Sequence, residues 1–252
     1  MEFDSTPWTA AAYGQPLIPV AAVCVYWLGI AHVERGGRVP SVPYLRRILV
    51  MWNIGMALFS AWCTAVAVPL FLWGRNGLLN RGLVPSVCSN SGWFSRGAPG
   101  AVTVSFTASK FIELGDTLFL ALRKRKLTHL HTFHHAATLL LTWKLFVTRS
   151  STGIAFISMN ALVHTVMYAY FAVMLFPGIG KVLRPYSYMI TAIQIAQMLA
   201  GIFINLIAAR VLIVGRSCEA TPASVALAGV LYSIYLVLFV QFATERGKAK
   251  KI

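Results

Sequence analysis

The sequence predicts an all-α integral membrane protein of seven transmembrane helices. Three observations carry that expectation. Only 12% of the 252 residues are charged while 58% are hydrophobic, and the mean hydropathy is +0.69; a soluble domain carries about 25% charged residues. The apolar residues fall in long runs, each near the ~20 residues that cross a hydrocarbon core. The Lys and Arg residues concentrate in alternate connecting loops, as membrane topology requires.

The first span covers 13–31, with Pro16 and Pro19 near its start, where helices tolerate proline. The second covers 48–73, the third 101–122, the fourth 128–147, the fifth 153–175, the sixth 187–214 and the seventh 223–243. One set of loops holds Arg35, Arg38, Arg46 and Arg47, then Arg123, Lys124, Arg125 and Lys126, then Lys181 and Arg184, and finally Arg246, Lys248, Lys250 and Lys251. The opposite set holds Arg75, Arg81, Arg96, Arg149 and Arg216. Only Lys110, Lys144 and Arg210 fall inside spans. Cytosolic loops retain Lys and Arg, so the N-terminus is expected outside or luminal and the C-terminus cytosolic. The first fourteen residues carry no Lys or Arg and no cleavage register, so no cleaved signal peptide is expected. A net charge of +15 spread over membrane-flanking loops suits anionic lipid and phosphate-bearing small molecules better than nucleic acid. No internal repeat is visible, and 1–252 reads as a single membrane domain.

The topology gives the cysteines a meaning. Cys88 and Cys218 lie in loops on the same, oxidising side, which predicts a disulfide between them, with two free thiols as the alternative. Cys24 and Cys63 fall within apolar runs and read as small core residues.

Ionisable groups inside a bilayer are costly and usually face a polar cavity or one another. Glu113 and Asp116 are the acidic residues within a span, in K-F-I-E-L-G-D-T, where Lys110, Glu113 and Thr117 share a helical face and Asp116 lies beside it. A self-neutralising lysine–carboxylate pair is the bland reading. His131, His134 and His135 form a stripe at i, i+3 and i+4 about one turn below the cytosolic boundary, whereas His32 and His129 read as interfacial. The fifth span aligns Asn160, His164, Met167 and Tyr168; the sixth spaces Thr191, Gln194 and Gln197 by three. Glutamines alone serve as glue between helices. At matching depth, however, the four groups could converge on one polar chamber open to the cytosol, above an apolar recess such as 139–141 and 200–206. That suits a substrate with a charged end and a greasy tail.

Two chemistries remain open on the residues alone. Histidine clusters suggest metal, as in di-iron desaturases or a zinc hydrolase using His131, His135, His164 and Asp116. A transporter would instead show repeated halves, and no such symmetry is visible.

The four segments, in order and spacing, resemble the ELO family of very-long-chain fatty acid elongases. Its K-x-x-E-x-x-D-T matches Lys110, Glu113, Asp116 and Thr117, and its H-x-x-H-H matches His131, His134 and His135. Its N-x-x-x-H-x-x-M-Y-x-Y-Y matches Asn160, His164, Met167, Tyr168 and Tyr170, with Phe171 where a second tyrosine is usual. Its T-x-x-Q-x-x-Q matches Thr191, Gln194 and Gln197. The resemblance implies an inverted-barrel-like bundle of spans two to seven around a substrate tunnel, with span one peripheral. It implies an acyltransferase of the endoplasmic reticulum membrane that condenses acyl-CoA with malonyl-CoA to 3-oxoacyl-CoA, CO2 and CoA. No cofactor or metal is required, and the reductases and dehydratase of an elongation cycle would be partners; a homodimer is compatible with it.

On that reading His134 is the nucleophile, flanked by His131 and His135 as orienting or proton-shuttling groups. His164 and Asn160 polarise the thioester or enolate oxygen. Lys110 attracts the malonyl carboxylate, with Glu113 and Asp116 holding the lysine and the histidines. Thr117, Tyr168, Tyr170, Thr191, Gln194 and Gln197 bind substrate, and Arg123, Lys124, Arg125 and Lys126 meet CoA phosphates. The tail K-A-K-K-I resembles a dilysine retrieval signal for the endoplasmic reticulum.

Overall fold

The computed structural model describes residues 2–90 and 94–249, with side chains to 246; the basic tail beyond lies outside the described residues. The chain is all-helical, with no β-strand among the described residues. In order it forms α1 (Thr6–Tyr13), α2 (Leu17–Glu34), α3 (Leu45–Trp73), α4 (Leu78–Arg81), α5 (Leu83–Cys88), α6 (Gly97–Glu113), α7 (Gly115–Leu122) and α8 (His129–Val147). Then follow α9 (Gly153–Met174), α10 (Pro177–Leu183), α11 (Ser187–Ile213) and α12 (Pro222–Ala249). Five helical stretches, built on α2, α3, α9, α11 and α12, are long and apolar enough to cross a membrane. The remaining two expected spans fall short in length or apolarity: α6 stops after 17 residues at Glu113, and α8 holds four histidines and Lys144 in 19.

Local chemistry sets the boundaries. Proline at the start delays the first span to Leu17, and Tyr13 belongs instead to the separate α1. Thr128 is extended and its hydroxyl accepts the His131 backbone N–H at 3.3 Å, which starts α8. Thr221 does the same for Ser224 N–H at 3.2 Å, with Pro222 opening α12. The expected single third span is two helices. Leu114 N–H bonds to Phe111 O and Thr117 N–H to Leu114 O, three-residue steps that tighten the chain at E-L-G-D, where glycine favours a helix least among the non-proline residues.

The chain divides into two compact units, Met1–Pro43 with Gly92–Ser150, and Tyr44–Ser91 with Ser151–Ile252. In the first, α2 and α6 pack on α8; Phe111 meets Trp143 edge-on at 5.8 Å and Phe94 lies 5.6 Å from Phe146. The N-terminal residues are bonded to the segment entering α6. Ser5 N–H donates to Ser95 O (2.8 Å), Ser5 Oγ to Phe94 O (2.7 Å) and Gly97 N–H to Phe3 O (2.9 Å), and Asp4 pairs with Arg96 in an antiparallel bridge. The Thr6 backbone N–H, donated to the Asp4 carboxylate, holds that carboxyl below its ordinary range.

In the second unit α3 lies along α9, with Ser60, Cys63 and Ala67 buried and the Thr64 and Thr165 hydroxyls 3.3 Å apart. Small residues let membrane helices approach closely. α11 pairs with α12, where Gly201 leaves room for the ring of Tyr232. Loops assigned to one side of the membrane meet here. Cys88 and Cys218 are joined by a disulfide with Cα atoms 4.4 Å apart; Glu219 N–H donates to Cys88 O (2.8 Å), and Ser151 N–H to Glu219 O (2.9 Å). The Glu219 carboxylate also accepts from Asn90 N–H. At the other end Arg246 bonds Ser187 Oγ at 2.7 Å.

Two expectations about the apolar parts are corrected. Cys24 is exposed, since α2 packs by a narrow edge, whereas Cys63 is fully buried. The supposedly apolar stretch 200–206 contains buried Asn205, whose Nδ2 donates to Gly201 O at 2.8 Å while its Oδ1 has no hydrogen-bond partner.

Candidate active site

The first unit holds the histidine box. One turn into α8, the capped N-terminus brings His131, His134 and His135 to one face, half-buried, while His129 is exposed. The rings form a ladder: His131 and His135 are 4.4 Å apart at 56°, and His134 stands perpendicular to His135 at 5.6 Å.

On α6, Lys110 and Glu113 make a buried ion pair. Nζ to Oε1 is 2.7 Å, with side-chain exposures of 1% and 4%. Ser109 Oγ donates to the same Oε1 at 3.0 Å, and the ammonium sits 4.0 Å from the Phe106 ring centroid. The i, i+3 spacing dictates this contact. Lys110, expected to attract a substrate carboxylate, thus already faces a carboxylate within its own helix.

Past the break, Asp116 is half-buried in the first turn of α7, and Thr117 is buried. The Thr117 hydroxyl lies 2.8 Å from His131 Nε2 and 2.8 Å from the Tyr26 hydroxyl of α2. Thr117 therefore bridges two protein groups. Arg123, Lys124, Arg125 and Lys126 form an exposed cationic turn before α8, with Lys124 at φ 52°.

The second unit holds the other constellation. On α9, Asn160 Nδ2 is 3.2 Å from His164 Nε2, and the His164 ring stands edge-on to Tyr168 at 5.4 Å; all three side chains are buried. Tyr170 is half-buried. Phe171 is 43% exposed, so the departure from the family pattern falls on an outward face and removes no interior hydroxyl. On α11, Thr191 is buried, Gln194 Nε2 donates to Met167 Sδ at 3.4 Å, and buried Gln197 hydrogen-bonds Tyr232 of α12.

Two tyrosines outside the motifs thus engage motif residues: Tyr26 through Thr117, and Tyr232 through Gln197. Both sit in apolar runs, where an aromatic reads as packing or as an interfacial anchor. Among the described residues, no three His, Cys, Asp or Glu side chains are grouped as metal ligands would be. The first constellation supplies imidazole nitrogens and an ion pair, and the second an imidazole and amide donors.

Comparison with known proteins shows the family. The family model described as ELO: GNS1/SUR4 family matches residues 11–251. The chain is 38% identical over 201 residues to fatty acid elongase 1 of Trypanosoma brucei brucei, covering 78% of this chain and 65% of that one, just under two thirds of its length. It is 31% identical over 240 residues to fatty acid elongase 2 of Trypanosoma cruzi (91% and 85% covered). To very long chain fatty acid elongase 6 of Gallus gallus it is 36% identical over 213 residues (82% and 76% covered).

Proposed function

Because the chain belongs to the ELO (GNS1/SUR4) family, we propose that it is a membrane acyltransferase carrying out the condensing step of fatty acid elongation. Acyl-CoA and malonyl-CoA would give 3-oxoacyl-CoA, CO2 and free CoA. The observation that carries the reading is the histidine ladder of α8, three half-buried rings in contact, with the first tied to Thr117 of the K-x-x-E-x-x-D-T segment.

His134 is the nucleophile. Its ring nitrogen attacks the thioester carbonyl, the C–S bond breaks, and CoA leaves as the thiol with the proton passed on by His131 and His135. Malonyl-CoA then loses CO2, the resulting enolate carbon attacks the acyl-imidazole, and the C–N bond breaks to release 3-oxoacyl-CoA while His134 regains a proton from solvent through His131 and His135. Asn160 and His164 stabilise the oxyanions. Gln194, Gln197, Thr191, Tyr168 and Tyr170 bind the thioester and pantetheine, and the cationic turn of Arg123, Lys124, Arg125 and Lys126 receives CoA phosphates. Lys110 attracts the malonyl carboxylate, with Glu113 holding the lysine in the buried pair. The sequence calls for no cofactor in this chemistry.

α6–α7 and α8 also cross the bilayer in this reading, giving seven spans with spans two to seven in the inverted-barrel arrangement around a tunnel. The N-terminus is luminal and the C-terminus cytosolic in the endoplasmic reticulum membrane, which the basic loops and the Cys88–Cys218 disulfide support. The reductases and dehydratase of an elongation cycle act on its product.

The test uses purified full-length protein. With acyl-CoA alone it should release stoichiometric CoA and carry an acyl group on a peptide containing His134; adding malonyl-CoA should discharge it as 3-oxoacyl-CoA. CoA release only after malonyl-CoA is added sinks the covalent step. Absence of malonyl-dependent extension, or activity that follows bound zinc or iron, sinks the assignment.

A further inference from the structure

The first span, expected to be peripheral, supplies a side chain to the histidine box. α2 lies along α8 through Tyr26 and Ile30 against the small Ala136, with Val23, Leu114 and Leu127 around them. Most of the rest of α2 is exposed, including Leu17, Val25 and Leu28 at about 70%. Tyr26 itself is 9% exposed. Its hydroxyl ends a chain of two short contacts, Tyr26 Oη to Thr117 Oγ1 (2.8 Å) and Thr117 Oγ1 to His131 Nε2 (2.8 Å). His131 continues through ring contact to His135 and from there to His134.

A threonine hydroxyl has one proton. Held between two partners, it donates to one and accepts from the other. In one direction Tyr26 donates to Thr117 and Thr117 donates to Nε2. His131 is then neutral with its proton on Nδ1, and every proton in the chain has an acceptor. In the other direction Nε2–H donates to Thr117 and Thr117 to Tyr26, so the phenol proton must find another acceptor in an apolar setting. The Asp116 carboxylate acts on that phenol only through space, and the phenol's hydrogen bond is the one to Thr117. Burial makes a phenol proton without a partner costly, so the first direction is favoured. The chain fixes one tautomer, as a partner on the remote nitrogen does wherever histidine is chemically active.

We propose that Tyr26 is a positioning residue of the active site: through the Thr117 hydroxyl it holds His131 in the Nδ1–H tautomer, with Nε2 as a fixed acceptor. The first span is then part of the catalytic apparatus and not only a membrane anchor. This inference rests on the condensing reading above and deepens it.

The experiment compares wild type, Tyr26→Phe, Thr117→Val, Thr117→Ser and the Tyr26→Phe/Thr117→Val double variant. Each is the full chain in detergent, assayed with acyl-CoA and labelled malonyl-CoA, with the thermal midpoint measured alongside. Tyr26→Phe keeps the ring that packs on Ile30 and Ala136 and removes only the hydroxyl. It should lower kcat about tenfold, the size expected for one hydrogen bond that matters to the barrier, and leave both KM values unchanged. Thr117→Val should lower kcat at least as far, Thr117→Ser should recover most of the loss, and the double variant should be no worse than Thr117→Val alone, because a chain cut at its middle link no longer feels its end.

Wild-type kcat in Tyr26→Phe, a loss expressed wholly in KM, or multiplicative losses in the double variant would overturn the proposal. If Tyr26→Phe does not give a monodisperse protein, the Thr117→Val and Thr117→Ser pair decides: equal kcat in the two means that the chain is catalytically idle. A wild-type protein without malonyl-dependent extension removes the condensing reading and this inference together. An active wild type with an unaffected Tyr26→Phe removes this inference alone.

Discussion

Replacing Glu113 by glutamine leaves the Lys110 ammonium, whose side chain is 1% exposed, without the carboxylate that sits 2.7 Å away. At an effective dielectric of 20 that contact is worth about 6 kcal/mol of Coulomb attraction, an upper figure because desolvation opposes it. The Phe106 ring, 4.0 Å from Nζ, still offers a cation–π contact of about 1–2 kcal/mol. Removing one partner of a buried pair costs about 3–5 kcal/mol, a fall of about 6–20 °C in the thermal midpoint of a domain this size.

Tryptophan-fluorescence melts in detergent read the shift. Lys110→Met should cost less, since the Glu113 carboxylate still accepts from the Ser109 hydroxyl at 3.0 Å. The double variant Lys110→Met/Glu113→Leu should return close to wild type, because a buried pair replaced by apolar groups is often neutral. Ser109 Oγ then keeps its bond to Phe106 O at 2.9 Å, so nothing is orphaned. A Glu113→Gln midpoint within about a degree of wild type would refute the reasoning, as would a double variant less stable than both singles.

Two further outcomes concern the second unit. A Cβ on Gly201 would stand 2.2 Å from the buried Tyr232 ring, which is stacked on Phe156 at 5.0 Å, so Gly201→Ala should lower stability by about 1–3 kcal/mol. A melt of Gly201→Ala matching wild type would mean that the ring is not held there. Asn205→Leu removes a buried carbonyl oxygen that has no partner, so the midpoint should rise by the equivalent of about 1 kcal/mol; a fall would show that Oδ1 is satisfied.

How far the sequence reaches depends on what the solvent is. In water an apolar stripe says which face of a helix is packed. In lipid it does not, since hydrocarbon is as apolar as a protein core. The long apolar runs located the helices to within a few residues, but they could not tell that Cys24 faces outward while Tyr26, two residues on, faces α8. Polar residues carry the information that apolar ones lose, because each must find a partner or a cavity. That is why the stripe His131, His134 and His135 could be read from spacing, whereas the pairing of Lys110 with Glu113 was only the bland alternative to capture of a substrate carboxylate.

The same rule explains the omissions. The Thr117 hydroxyl was legible as polar, but nothing in its own helix names its partner, and Tyr26 lies 91 residues away in a run that reads as anchor. Asn205 does not stand out inside A-G-I-F-I-N-L because the average of a window hides one amide. The break at Leu114 depends on which of two neighbouring turns holds its hydrogen bonds better, and E-L-G-D does not decide that by composition. In this chain a buried polar atom is therefore a better guide to packing than any hydrophobic period. The hydroxyl of Tyr26 follows from that logic: a phenol inside the bilayer must bond to something, and what it bonds is joined to the first histidine of the box.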